Sequence, residues 1–302
     1  MMRILVWLCL AVALAASAIW FLTAPAVPFT AGDPRLQGDG DPARGRLVFA
    51  AGDCASCHAT PGQKDRLRLG GGLALASPFG TFRPPNISSD PIDGIGTWST
   101  ADLANAMIGG TSPRHQHYYP AFPYSSYTGM RIGDIMDLRA YLKTLAPVSG
   151  RPPPHDLFFL FRIRRLLGLW KLAFFHEGQS QAPMTGDAVL DRGGYLVETV
   201  GHCAECHSSR NLFGAIRAKI RFAGGPDPDG TGFIPNITPS RIGHWSEADI
   251  AEMLRSGNTP DHGRAGSSMA EVVANMATLP QSDRDAIARY IKALPARPTP
   301  RP

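Results

Sequence analysis

Cys54-Ala55-Ser56-Cys57-His58 decides how this chain is read, and its pattern returns as Cys203-Ala204-Glu205-Cys206-His207. The spacing C-x-x-C-H is that of a c-type haem attachment site. Two thiols add to the two vinyl groups of haem, and the histidine directly after the second cysteine supplies an axial nitrogen to the iron. The spacing is tight because one porphyrin edge dictates where both sulfurs and the imidazole stand. A single C-x-x-C also reads as half a zinc site, a redox dithiol or a disulfide. Two copies with a trailing histidine, inside a larger repeat and behind an apolar leader, favour haem.

The two motifs stand 149 residues apart, Cys54 to Cys203. The same offset relates Gly52 to Gly201, Leu47-Val48 to Leu196-Val197 and Tyr141 to Tyr290. Between these anchors Pro85-Asn86-Ile87 matches Pro235-Asn236-Ile237, and Trp98-Ser99-Thr100-Ala101-Asp102 matches Trp245-Ser246-Glu247-Ala248-Asp249. A repeat of this length marks two copies of one domain.

Each copy predicts helices joined by long loops. A short helix leads into the motif, as in Gly194-Tyr195-Leu196-Val197-Glu198, and a glycine-rich loop follows it, Gly70-Gly71-Gly72 or Gly224-Gly225-Pro226. Ser99 and Ser246 are N-cap residues for helices over 101–107 and 248–254. Last helices are predicted over 134–145 and 283–294. Ile135, Leu138, Tyr141 and Leu142 fall at helical spacing there, as do Ile287, Tyr290, Ile291 and Leu294. The plan is that of a small cytochrome c, in which first and last helices cross and the haem lies between them.

Composition fits this plan. Of 302 residues, 32 are glycine and 27 proline, so loops are plentiful, and the apolar fraction of 44% is ordinary for a globular protein. The formal charge is +5, which haem propionates would reduce. No basic run with interleaved aromatics forms a nucleic-acid face. Four of the five cysteines lie in the motifs. The fifth, Cys9, is a small hydrophobe within an apolar run from Ile4 to Leu22, which follows Arg3 and precedes Thr23-Ala24-Pro25. That run is close to the length that spans a bilayer. It is read as an uncleaved signal-anchor with Arg3 on the cytoplasmic side. The alternative is a signal peptide cleaved after Ala16-Ser17-Ala18.

Between the copies, a proline-rich stretch (148–154) leads into Leu157-Phe158-Phe159-Leu160-Phe161-Arg162-Ile163-Arg164-Arg165-Leu166-Leu167 and Trp170-Lys171-Leu172-Ala173-Phe174-Phe175. Arginines interrupt this run, so it does not span a membrane. It lies on a membrane surface, docks a partner, or packs as a connector. Trp98 and Trp245 are read as core residues packed on haem, with a propionate bond as the alternative. Asn86 and Asn236 either bond a propionate or close a turn.

A low-spin electron-transfer haem takes a second axial ligand, usually a methionine before the last helix. In the second copy Met269 is the candidate and Met276 its rival. In the first copy Phe122 stands where a methionine is expected. Met130 either ligates from a shifted loop or packs as the counterpart of Leu279. His115 and His117 are read as loop residues. A five-coordinate haem is the remaining reading.

Gly52-Asp53-Cys54 through Pro120-Ala121-Phe122-Pro123-Tyr124, Trp170-Lys171, Gly201-His202-Cys203 through Ser208-Ser209-Arg210-Asn211, and Pro235-Asn236-Ile237-Thr238-Pro239 resemble the cytochrome c subunits of membrane-bound bacterial dehydrogenases for alcohols, gluconate, aldehydes and related substrates. The resemblance covers nearly everything after residue 40. It implies that Cys54, Cys57, Cys203 and Cys206 hold haem, and that His58 and His207 are proximal ligands. It also implies a catalytic partner bearing a quinone, flavin or molybdenum cofactor. Many members carry three haems and a methionine where Phe122 stands; this chain has two motifs.

The expected fold is all-α, with two tandem cytochrome c-type haem domains behind an N-terminal membrane anchor helix. The boundaries are an anchor at 1–24, a linker at 25–41, domain 1 at 42–148, an amphipathic linker at 149–187, domain 2 at 188–297 and a tail at 298–302. The expected function is single-electron transfer in a periplasmic respiratory chain through two covalently bound haem c groups. Met269 is the distal ligand of haem 2 and Met130 that of haem 1. Partners would be a periplasmic dehydrogenase catalytic subunit, an acceptor (quinone, soluble cytochrome or terminal oxidase) and the inner membrane, with no nucleic acid. The alternative is a peroxidase-like or thiosulfate-oxidising haem enzyme working at an open sixth position of haem 1.

Overall fold

The computed structural model describes residues 2–179, 181–227 and 232–300; residues 301–302 of the expected tail lie outside these. The chain is mostly helical. In order come α1 (Met2–Leu22), α2 (Pro42–Ala51), α3 (Cys54–His58), β1 (Gly80–Thr81), α4 (Thr100–Met107), α5 (Tyr124–Tyr127), α6 (Ile132–Thr144) and β2 (Asp156–Leu157). Then follow α7 (Leu167–Phe174), α8 (Ala188–Gly194), β3 (Gly225–Pro226), β4 (Phe233–Ile234), α9 (Pro239–Ile242), α10 (Glu247–Ser256), α11 (Ser268–Met276) and α12 (Gln281–Ala293). The strands are short antiparallel pairs, β1 with β2 and β3 with β4.

Two helical lobes each have an apolar core, and the end of α2 in the first lobe, Ala50 and Ala51, also packs into the second. Phe49, Leu69, Leu103, Ile135 and Leu138 centre the first, and Val197, Phe222, Ile250, Ile287 and Ile291 the second. In each lobe a glycine lets the first and last helices cross closely. A Cβ on Gly45 would stand 1.9 Å from the Asp137 carbonyl oxygen, and one on Gly193 would stand 2.0 Å from that of Ala286. An ion pair closes each crossing, Arg44 to Asp137 at 2.7 Å and Arg192 to Asp283 at 2.8 Å. Burial raises the Asp137 pKa, but the Arg44 guanidinium and the Asp41 N–H outweigh it and hold the carboxyl below its usual range.

The uniform offset slips at this crossing. Gly193 is 148 residues from Gly45, whereas Ala286 and Tyr290 are 149 from Asp137 and Tyr141. A π-helical segment, Tyr195–Val200, follows α8 and takes up the extra residue, closing with Gly201 N–H donating to Leu196 O at 2.7 Å. Such bulges insert one residue without ending the helix.

Ser99 and Ser246 cap α4 and α10 in full capping boxes. Each Oγ accepts from the N–H three residues on, at 3.1 Å, and Asp102 and Asp249 bond back to the serine N–H. Such a cap contributes about 1 kcal/mol. The last helices begin two residues earlier than the apolar spacing predicts, after Arg131 and Pro280; the first turn of α12, Gln281 to Arg284, is polar and leaves no apolar mark, whereas that of α6 opens on Ile132, which packs on the first core.

The segment between the lobes packs as a connector. β2 pairs with β1, Tyr119 Oη–H donates to Phe161 O at 2.7 Å, and Trp170 Nε1–H donates to Phe213 O at 2.8 Å. Lys171 turns inward, donating to Gly109 O and Gly110 O at 2.6 and 2.9 Å. Burial lowers its ammonium to about 8. Helix α1 is exposed along its whole length and is long and apolar enough to cross a membrane.

Candidate haem sites

Each C-x-x-C-H motif begins immediately after a residue with left-handed backbone, Asp53 (φ 50°) and His202 (φ 39°). That reversal turns the chain from the first helix of its lobe into the motif. The first motif then forms the one-turn helix α3, the second a 3₁₀ turn over Cys203–Glu205.

The glycine-rich loops explain how the histidines are aimed. Gly71 N–H donates to His58 O at 2.8 Å, and Gly224 N–H donates to His207 O at 2.9 Å. Both glycines have positive φ, 71° and 82°. A Cβ there would stand 2.4 Å from Pro84 O or 2.6 Å from Ile234 O. This close approach brings the next strand of chain under the motif, and His58 Nδ1 lies 2.8 Å from Pro85 O, as His207 Nδ1 does from Pro235 O. A carbonyl can only accept, so Nδ1 carries the proton and Nε2 keeps its lone pair. No described residue bonds either Nε2. Burial pushes both imidazoles below the usual histidine range, partly offset by the proline carbonyls. They are therefore neutral at neutral pH, the form that binds a metal, and a hydrogen-bonded Nδ1 is the usual orienting partner of a ligating histidine.

Each motif presents two free thiols, the form that thioether formation consumes. Burial pushes Cys54, Cys57 and Cys203 up to about 12, and Cys206 to about 11. Among the described residues, no three His, Cys, Asp or Glu side chains converge as a metal cage.

The other predicted residues distribute between the two cores. Cys54, Trp98, Phe122 and Met130 pack with the first; Cys203, Trp245, Met269 and Met276 pack with the second. Met130 and its counterpart Leu279 are both buried. Met269 is half-buried in the first turn of α11. Phe122 meets Tyr118 and Tyr124 edge to face and Tyr127 at a tilt. Trp245 Nε1–H donates to Asp261 at 3.1 Å. Asn86 and Asn236 close turns. Oδ1 of Asn86 accepts from Ser88 N–H and that of Asn236 from Thr238 N–H, while their amides donate to Val148 O and Arg297 O beyond the last helices. His115 lies in an exposed loop, whereas His117 is buried with Nε2 2.9 Å from Thr23 O.

The repeat gave no sign that the two motifs stand back to back. A Cβ on Gly52 would lie 3.7 Å from Val200 O, and one on Gly201 would lie 3.4 Å from Ala51 O. The Cys206 thiol is close enough to Cys57 for its charge to raise the Cys57 pKa. Asn275 of the second lobe donates to the Asp53 carboxylate. Glu205, inside the second motif, accepts from Ser125 and Ser126 of the first lobe at 3.1 and 3.0 Å and pairs with Arg210 at 2.6 Å.

The sequence profile of the cytochrome c family matches residues 42–146. A relative described as a diheme cytochrome c-type protein, from Cereibacter sphaeroides, is 51% identical over 271 residues, 87% of this chain and 90% of the relative. The chain belongs to the cytochrome c family. A domain of this family implies covalently bound haem c. The chain is also similar to a subunit of the nicotinate dehydrogenase of Pseudomonas putida, 41% identical over 84% of this chain and 21% of that protein. The fructose dehydrogenase cytochrome subunit of Gluconobacter japonicus is 36% identical over 84% of this chain and 52% of that protein. The cytochrome thus spans about half, or less, of those two longer relatives.

Proposed function

We propose that this cytochrome is a dihaem electron-transfer subunit of a membrane-associated dehydrogenase. Haem c supplies reversible one-electron chemistry at its iron. The observation that carries the reading is the repeated pair of histidines, each with Nδ1 pinned to a proline carbonyl and each directly following two free cysteines spaced C-x-x-C. In this reading Cys54 and Cys57 hold haem 1 in a domain over 42–148, and Cys203 and Cys206 hold haem 2 in a domain over 188–297. His58 and His207 are the proximal ligands, Met269 is distal at haem 2 and Met130 distal at haem 1. The two attachment motifs stand back to back, so haems bound there would be held by one packed unit, and the chain's own work would be positioning them and excluding water. Helix α1 anchors the protein in the bacterial inner membrane with both lobes on the periplasmic face.

The dehydrogenase assignment rests on what the relatives are called, cytochrome subunits of fructose, gluconate and alcohol dehydrogenases. A catalytic subunit would deliver electrons, and a quinone, a soluble cytochrome or a terminal oxidase would accept them. The test is isolation of the tagged protein in gentle detergent from its native membrane. A catalytic dehydrogenase subunit should co-purify, and its substrate should reduce both haems. A protein recovered alone, whose haems no dehydrogenase substrate reduces, would refute the assignment.

A further inference from the structure

The connector packs against both lobes, yet one side of it is left apolar and open. At the start of α7 and along it, Leu166, Leu169 and Leu172 recur every three residues and stay 46, 45 and 59% exposed, while Gly168 and Lys171 turn inward. Just upstream, Phe158 and Phe159 are 63 and 76% exposed. Scattered exposed apolar residues are ordinary, but a contiguous set of this kind marks an interaction surface.

Its position says what covers it. The end of α1 is clamped to this same segment. Gly168 meets Thr23 so closely that a Cβ would stand 2.5 Å from the threonine side chain. The Arg165 guanidinium lies 4.3 Å over the Trp20 ring and donates to the Trp20 carbonyl. His117 Nε2–H donates to Thr23 O at 2.9 Å. The apolar stripe therefore begins where the membrane-length helix ends, and Arg162 and Arg165 flank it. Apolar side chains interleaved with arginines at that level suit the boundary between acyl chains and anionic headgroups.

We infer that 158–173 lies in the interfacial layer of the bilayer that α1 crosses, with Phe159, Leu169 and Leu172 among the acyl chains and Arg162 at the phosphates. This rests on α1 being a membrane anchor. The contact would hold the first lobe against the membrane surface instead of leaving it on a tether.

The test uses the full-length holoprotein in nanodiscs of phosphatidylethanolamine and phosphatidylglycerol. A phospholipid carrying a diazirine at the top of its acyl chain is photolysed, and the adducts are mapped by mass spectrometry. Expected are adducts on α1 and on 158–173, with none on exposed α10 residues such as Ala248. Adducts on α1 but none on 158–173 overturn the inference while leaving the anchor standing. Equal labelling of α10 overturns it as non-specific. No adducts on α1 overturn the anchor reading, and the interfacial contact with it.

Discussion

His202 of the second lobe reaches back to the first, its Nε2 3.3 Å from the carbonyl oxygen of Gly52. Tyr127 Oη–H donates to the same oxygen at 3.3 Å, and the two rings meet edge to face with centroids 5.4 Å apart. Gly52 stands two residues before the first motif and His202 immediately before the second, so this junction ties the entries to the two motifs together. Replacing His202→Ala should cost about 1 kcal/mol from the lost bond, read as a lower guanidinium midpoint. His244→Ala, on an exposed pair with Asp261, should leave the midpoint nearly unmoved.

Tyr195 is a second tie. Its hydroxyl accepts from Arg131 N–H at 3.1 Å and donates to Asp134, and the Arg131 guanidinium lies 4.5 Å over its ring. Burial, and then the Asp134 charge, hold the phenol well above its ordinary value. The folded state therefore keeps this proton after the unfolded state has lost it. Its contribution is fully present below about pH 10, the unfolded value, and falls as pH rises beyond that. Tyr195→Phe should be less stable at pH 8 by about 1 kcal/mol, with a shallower loss of stability above pH 10. Denaturant unfolding across that range checks both.

Gly71 sets the His58–Pro85 bond by allowing the close approach over Pro84 O. Gly71→Ala adds a Cβ at positive φ against backbone, so a cost of about 1–3 kcal/mol is expected. The Pro85 carbonyl should move off Nδ1, and a fraction of the protein should carry one haem fewer. Gly62 also has positive φ (76°) but has nothing within 4 Å of a Cβ. Gly62→Ala should keep full haem content. Intact mass of the two variants separates these outcomes.

The distal assignments predict a spectroscopic count. Met269→Ala and Met130→Ala should each remove about half of the thioether-to-ferric-iron charge-transfer absorbance of the oxidised protein, because each thioether serves one iron. Full absorbance in Met130→Ala would show that Met130 packs as Leu279 does. A high-spin ferric signal in the unaltered protein would instead favour the open position beside Phe122.

What was legible in the sequence is what depends on local chemistry. The motifs, the serine caps, the apolar faces of α6 and α12 and the membrane-length run each depend on residues close together along the chain. The histidine–proline bonds were half legible, since Pro85 and Pro235 appear in the repeat but nothing local says that their carbonyls point at the imidazoles. The junction of Gly52, Tyr127 and His202 left no trace, because it joins positions far apart through single side chains. The π-helical residue was hidden by a match that looks unbroken at the constant offset. For the connector, periodicity left three readings open. The inward turn of Lys171 and the clamp on Thr23 appear only once the chain has folded.

Central to the account are two porphyrins, each held by two thioethers, on Cys54 and Cys57 and on Cys203 and Cys206. Intact mass of the protein purified from its native membrane under denaturing conditions measures this directly. The account predicts the polypeptide mass plus two haems, falling by one haem when Cys203 and Cys206 are both changed to serine. A mass showing one haem, or none, would contradict it.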